Sequence, residues 1–465
     1  MQGAHLEAAV RTPPGVVEAL QVVAGFDAAL ANGLARLGPR HTESLNALAG
    51  AVGASPLGTV SADAIGKLAA GSIGVTELSA PAGARAAILG SVHDALLAGL
   101  DDALGRSRSA WEERPADPPP PEPVPAGPLA GARSWLQELA IAGWLGVDDG
   151  LVSAADQPLE ALWAEPRLRR LAVLLDGLAA ELRASCPVAT MERLPERRWA
   201  DLWTRAVLLA HSGSWTGGTT AVSGRLLPLG VDVHEHGTTV QAQVHAVLEP
   251  HGEGPVRLVR VAVAAAKVDT ILGPSVWRLL SAYPTLLAAL AGHRAMDVSD
   301  MPLTAGGDLL WDEERAQTGD VADPFATARV RLPDAVAPAV APLDRHPVRI
   351  AEPVLVEGYK VRRDGTFDLN GEALAIDLDR LPPSGPLTEQ LVKASTACLG
   401  LLRWDAGRWT LQPLAVQSTV KRQPVEAHNG DWALGPTDPK VVKAQARAGD
   451  AVAVLTERAG RLLRK

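Results

Sequence analysis

Near residue 212 the spacing of apolar residues changes, and the change restricts the chain to two unlike halves. Before it, apolar side chains recur every three to four positions. Leu89, Val92, Leu96, Leu97, Leu100 and Leu104 form one stripe of an α-helix, and Trp199, Leu202, Trp203, Ala206, Val207 and Ala210 form another. After it, Val240, Ala242, Val244, Ala246 and Leu248 alternate with Gln241, Gln243 and His245, as in a strand with one buried face. Asp364-Gly365 and Asn370-Gly371 are favoured hairpin turns because Asn, Asp and Gly tolerate positive φ, so residues 354–378 should form an antiparallel meander. A further hairpin is expected at Asp405-Ala406-Gly407, and residues 276–290 read as a helix interrupted at Pro284. The predicted class is multidomain α+β: a helical N-terminal half, then a mainly antiparallel β half with an inserted helix.

Composition divides the chain further. Residues 114–128 hold eight prolines, which remove backbone donors and favour polyproline II, so this stretch reads as a linker. The expected units are an all-α domain over 1–113, the Pro-rich linker 114–128, a second helical unit over 129–211, a β-rich domain over 212–436 and a basic C-terminal helix over 437–465. From Lys440 onward seven Lys and Arg face two Asp and Glu. Arg458, Arg461 and Arg464 are the candidates there for meeting an acidic partner surface. The whole chain carries a net charge of −9, which disfavours nucleic acid as its partner. The N-terminus lacks the pattern of a signal peptide, and there is no apolar run long enough to span a bilayer, so a cytoplasmic location without membrane attachment is expected. Cys186 and Cys398, each without a nearby Cys, support neither a disulfide framework nor a Cys-rich zinc site.

Chemistry-bearing patterns are few. Asp232, His234 and His236 alternate, so on a strand they share a face and could converge on a metal; imidazole nitrogen and carboxylate oxygen suit zinc or iron. Gly237-Thr238 would place the end of this segment at a hairpin tip. Asp377 and Asp379 are expected on one strand face, where they could bind a divalent cation although a paired acidic strand end is commoner, and Lys267 with Asp269 reads as a buried ion pair ahead of a catalytic pair. Gly-rich residues 213–220 follow a helix and lack Lys, the opposite of a phosphate-binding loop. No cofactor is predicted.

Two segments carry a resemblance: GARAAILGSVHDALL at 83–97, and RLRRLAVLLDGLAAELR at 167–183 leading to RRWADLWTR at 197–205. They resemble uncharacterised proteins of GC-rich bacteria associated with gene clusters that encode a MoxR-type AAA+ ATPase, a von Willebrand factor A-type protein and a SWIM zinc-finger protein. The resemblance covers about one eighth of the chain, rests on helical packing patterns and transfers no functional residue. It implies membership of a multiprotein system. The expected function is a non-catalytic interaction or accessory subunit with other proteins, among them an AAA+ ATPase, as partners. The alternative is a metal-dependent hydrolase using Asp232, His234 and His236.

Overall fold

The computed structural model describes residues 3–112, 126–212, 218–235, 239–268, 270–405, 407–420, 423–448 and 452–454. The chain is α+β, with helices mainly in its N-terminal half and antiparallel-rich sheets in its C-terminal half. Glu113 and residues 114–125 of the Pro-rich stretch lie outside the described residues, as do His236, Asp269, Arg458, Arg461 and Arg464.

The helical half is built twice over. α1 (Gly3–Val10) precedes the first set, α2 (Val16–Asn32), α3 (Pro39–Ala51), α4 (Gly58–Ala69) and α5 (Val75–Leu104). The second set is α6 (Ala126–Ala142), α7 (Asp149–Ser153), α8 (Asp156–Trp163), α9 (Arg169–Ser185) and α10 (Glu196–Ser212). α6 begins before the predicted linker ends, with Pro128 in its first turn, where a missing N–H costs no helical bond. In each set the first helix stops at a glycine and continues into a 3-10 turn, Leu34–Arg36 after Gly33 and Trp144–Gly146 after Gly143. The two glycines meet. A Cβ on Gly33 would lie 2.7 Å from the Ile141 carbonyl oxygen, and one on Gly143 only 2.2 Å from the Gly33 nitrogen. Both have positive φ, so neither close approach nor backbone conformation admits a side chain. Around this contact α2 touches the second 3-10 turn and α6 touches the first, a reciprocal arrangement with approximate two-fold character.

One hydrophobic core therefore serves both sets. It holds Phe26, Leu30 and Leu34 from the first with Trp144, Trp199 and Trp203 from the second. The Trp199 and Trp203 stripe is core, and Trp203 Nε1 donates to the Leu136 carbonyl at 2.9 Å.

The β half consists of two barrels. β1 (Thr219–Glu235), β2 (Thr239–Pro250), β3 (Arg257–Ala266), β4 (Arg294–Thr304) and β5 (Asp308–Leu309) close in the order 1-2-3-5-4, β4 returning to β1. β3 and β5 pair in parallel and the other neighbours are antiparallel. A 3-10 turn at Gly273–Leu280 and α11 (Pro284–Ala291) connect β3 to β4, their break falling where Pro284 was expected to interrupt a helix. β6 (Ala316–Val321) extends β4, and α12 (Pro324–Val330) follows.

The second barrel repeats the plan. β7 (Ile350–Glu357) runs into β8 (Lys360–Val361) as one bent strand, followed by β9 (Phe367–Leu369) and β10 (Glu372–Ile376). After α13 (Glu389–Lys393) come β11 (Ser395–Asp405) and β12 (Arg408–Val420), with β13 (Gln423–His428) added outside β12. β10 and β12 are parallel, while β8, β9 and β10 form the expected antiparallel meander. Five strands in this order, with a helix between the third and fourth, give the connectivity of an OB-type barrel, present here in tandem.

Helix α5 serves two cores. Its Leu89 lies in the helical core, whereas Val92, Leu96, Leu97 and Leu100 pack with Ile350, Val354, Phe367 and Leu374 of the second barrel. The five-residue α13 is too short to close that barrel alone, and α5 supplies the missing apolar surface. Finally, α14 (Pro439–Ala448) lies near the first barrel, whose core also includes Trp432 and Val452.

Candidate functional site

The two barrels pack wall to wall, and among the described residues two clusters of polar side chains stand out at this junction. Apolar contact comes from Leu227, Leu229 and Val247 of the first barrel against Leu355, Leu399 and Ala415 of the second. At Gly230, beside a β-bulge in β1, a Cβ would stand 2.8 Å from Leu414 Cβ, so the missing side chain sets how closely the walls approach.

The first cluster contains two of the sequence-predicted ligands. Asp232 and His234 share a face of β1, as their alternation requires, and His234 Nε2 lies 2.9 Å from Asp232 Oδ2. Asp232 is buried. Its Oδ1 accepts from Gln412 Nε2 at 2.7 Å, and Gln412 Oε1 accepts from Arg403 Nη1 at 2.9 Å, both partners coming from the second barrel. Burial opposes ionisation of Asp232, but His234, Gln412 and Arg403 together hold its carboxyl below the usual value. Both oxygens are thus engaged by protein donors, and the group acts chemically as the anionic centre of an inter-barrel network.

The other acidic pairs resolve differently. β10 ends at Ile376, so Asp377 and Asp379 do not share a strand face as expected; Asp379 lies in a 3-10 turn and Asp377 Oδ2 accepts from Arg380 Nε at 2.7 Å. Lys267 is buried and donates to the Ile271 carbonyl at 3.1 Å.

The second cluster brings together residues far apart in sequence. His293 follows α11 with φ of 46°, a conformation uncommon for a residue with a Cβ. Glu426 and His428 alternate along β13, and Asp431 follows in the next turn. His293 Nε2 lies 2.8 Å from Asp431 Oδ1, and His428 Nε2 lies 2.6 Å from Glu426 Oε1. The two imidazole centroids are 4.1 Å apart, with the Phe325 ring edge-on to His428. Asp431 Oδ2 accepts the His428 backbone N–H at 3.0 Å, which fixes this carboxylate in place. The Asp431 hydrogen bond raises the His293 imidazole above its usual value, and His428 lowers the Glu426 carboxyl. A shallow cleft opens here, lined also by Pro228, Gly230, Leu290, Ala322 and Pro324. Nitrogen and oxygen donors in this grouping can hold a metal ion, and ligand atoms of His293, Glu426 and His428 lie within 4.8 Å of one another.

Nothing in the sequence analysis joins His293 to Glu426, His428 and Asp431. The legible signal was the alternation Glu426-Ala427-His428 on a strand. No protein-family model matches the chain, and neither the curated proteins nor the solved structures contain a significant match to it.

Proposed function

We propose that the chain is a non-catalytic accessory subunit that binds other proteins within a cytoplasmic bacterial multiprotein system, with a MoxR-type AAA+ ATPase as partner. The supporting observation is the use made of the first barrel's wall. OB-type barrels take oligonucleotides and oligosaccharides over strands two and three and the adjoining loops. Here β1, next to that face, is covered by the second barrel, with Leu414 against Gly230 and Gln412 on Asp232. The remaining face presents Gln241 and Gln243 on β2 with Arg260, Ala262 and Ala264 on β3, while His245 beside them is buried. Such a surface is poor in the cations and stacking rings by which single strands are held. Both barrels act as packing modules in a platform, and a platform suits assembly with other chains.

Co-expression with a MoxR-type AAA+ ATPase from the same source tests this reading. A complex that co-elutes in gel filtration, and that Arg458→Glu, Arg461→Glu and Arg464→Glu weaken at low salt, is the expected result. Separate elution at every ionic strength rejects the ATPase as partner. The hydrolase alternative predicts instead a metal-stimulated activity lost in Asp232→Asn.

A further inference from the structure

We propose that His293, Glu426 and His428, with Asp431 as fourth donor, bind one divalent transition-metal ion of the zinc class, and that the ion ties the first barrel to the second. Two imidazoles and two carboxylates are a suitable donor set for such an ion. A tetrahedral site with bonds of about 2.0 Å places its donors about 3.3 Å apart. The ligand atoms of the His–Glu–His group lie within 4.8 Å of one another, with His428 Nε2 and Glu426 Oε1 at 2.6 Å, and Asp431, outside that group, adjoins it through His293 Nε2 at 2.8 Å. Small side-chain rotations into the adjoining cleft would satisfy the ion without moving a strand.

Each imidazole Nε2 faces a carboxylate oxygen, so a dication bound among them would meet two neutral imidazole nitrogens and two anionic oxygens that balance its charge. The orienting contacts are in place. Asp431 is held by the His428 backbone N–H, His428 by the edge of Phe325, and the His293 carbonyl accepts the Ala322 N–H at 2.7 Å, fixing a residue whose φ is already restrictive. His293 belongs to the α11–β4 connection of the first barrel and the other donors to β13 and its turn in the second. Coordination therefore links elements more than 130 residues apart in sequence.

The test uses the full chain after chelator treatment, titrated with Zn²⁺ and with Co²⁺. One equivalent should bind, Co²⁺ should show the visible ligand-field absorption of a four-coordinate site, and Zn²⁺ should raise the melting temperature in a manner reversed by chelator. Glu426→Gln neutralises an exposed carboxylate and should weaken Zn²⁺ binding by at least ~10-fold in direct titration, a readout that any change in the metal-free melting temperature from the lost His428 pairing does not enter. The double variant His293→Ala, His428→Ala should bind none. His251→Ala, at an exposed turn, should bind like the parent. Absence of a stoichiometric site in the parent, or undiminished binding in Glu426→Gln and in the double variant, overturns the proposal.

Discussion

His346 shows how one buried ring can make the stability of the fold depend on pH. It is 2% exposed, and neither ring nitrogen meets a hydrogen-bond partner. Burial first, then the positive charges of Arg205 and Arg85, bring its imidazole down to about 4, against a smaller opposing pull from Asp344. His245, buried on β2, is brought to about 4 in the same way, by burial and then Arg260. In the unfolded chain both return to about 6.5, so between these values the unfolded state binds more protons and stability falls as the pH falls. The contribution is fully present above about 6.5, is lost progressively as the pH drops toward 4, and amounts to roughly 3 kcal/mol for each ring as an upper figure. Urea denaturation should give a lower midpoint at pH 4.5 than at pH 7, and His346→Gln should lose about half of that difference. A variant with the full parental pH response would remove His346 from the explanation.

At the scale of elements, α5 couples everything around it. Arg85 near its middle is fully buried, with Nε 2.6 Å and Nη2 3.1 Å from the carboxylate of Asp27 on α2 and Nη2 2.8 Å from Asp201 on α10. Past its C-terminus, Arg106 and Arg108 reach Glu352 on β7 at 3.3 and 3.2 Å. Removing one member of a buried charge group leaves the others without compensation, a loss of about 3–5 kcal/mol. Arg85→Ala should therefore destabilise the chain by about that amount. Asp27→Asn should cost less, because Asp201 still faces the guanidinium. Equilibrium unfolding measures both, and an unchanged midpoint in Arg85→Ala would show that the group contributes nothing net. The same helix shows where sequence reasoning stops. Its stripe from Leu89 to Leu104 was legible as helical and amphipathic because periodicity reports which side is covered. What covers it is a tertiary fact, and so Val92 to Leu100 could not be assigned to a β-barrel that begins some 250 residues later. Strand type and the tight turns were local, hence readable; closure of two barrels depends on the parallel pairs β3–β5 and β10–β12, which no local pattern encodes. The site divides in the same way: Asp232 and His234 were visible through alternation, whereas His293 meets Glu426, His428 and Asp431 only after both barrels have formed.

For the whole molecule, the Pro-rich segment marks a covalent boundary without marking a boundary of the core. Phe26 on α2 and Trp203 on α10 have ring centroids 6.4 Å apart, and Gly33 and Gly143 bring the ends of α2 and α6 into van der Waals contact. Each helical set alone would expose the apolar faces that now cover one another, at a cost of about 1.5–3 kcal/mol for every large side chain returned to water. The N-terminal segment is held a second time, since the C-terminal part of α5 fills the base of the second barrel and Arg108 pairs with Glu352. Cleaving the chain once at Arg114 should consequently leave the two pieces together. They should co-elute in gel filtration under native conditions and melt in one transition, because their shared core must be disrupted before either can separate. After separation in denaturant, the isolated 1–114 fragment should regain little fixed tertiary structure, seen as weak near-ultraviolet dichroism, until the other fragment is added back. Independent elution of a stably folded 1–114 fragment would mean that the common core contributes little and that the helical sets are autonomous domains.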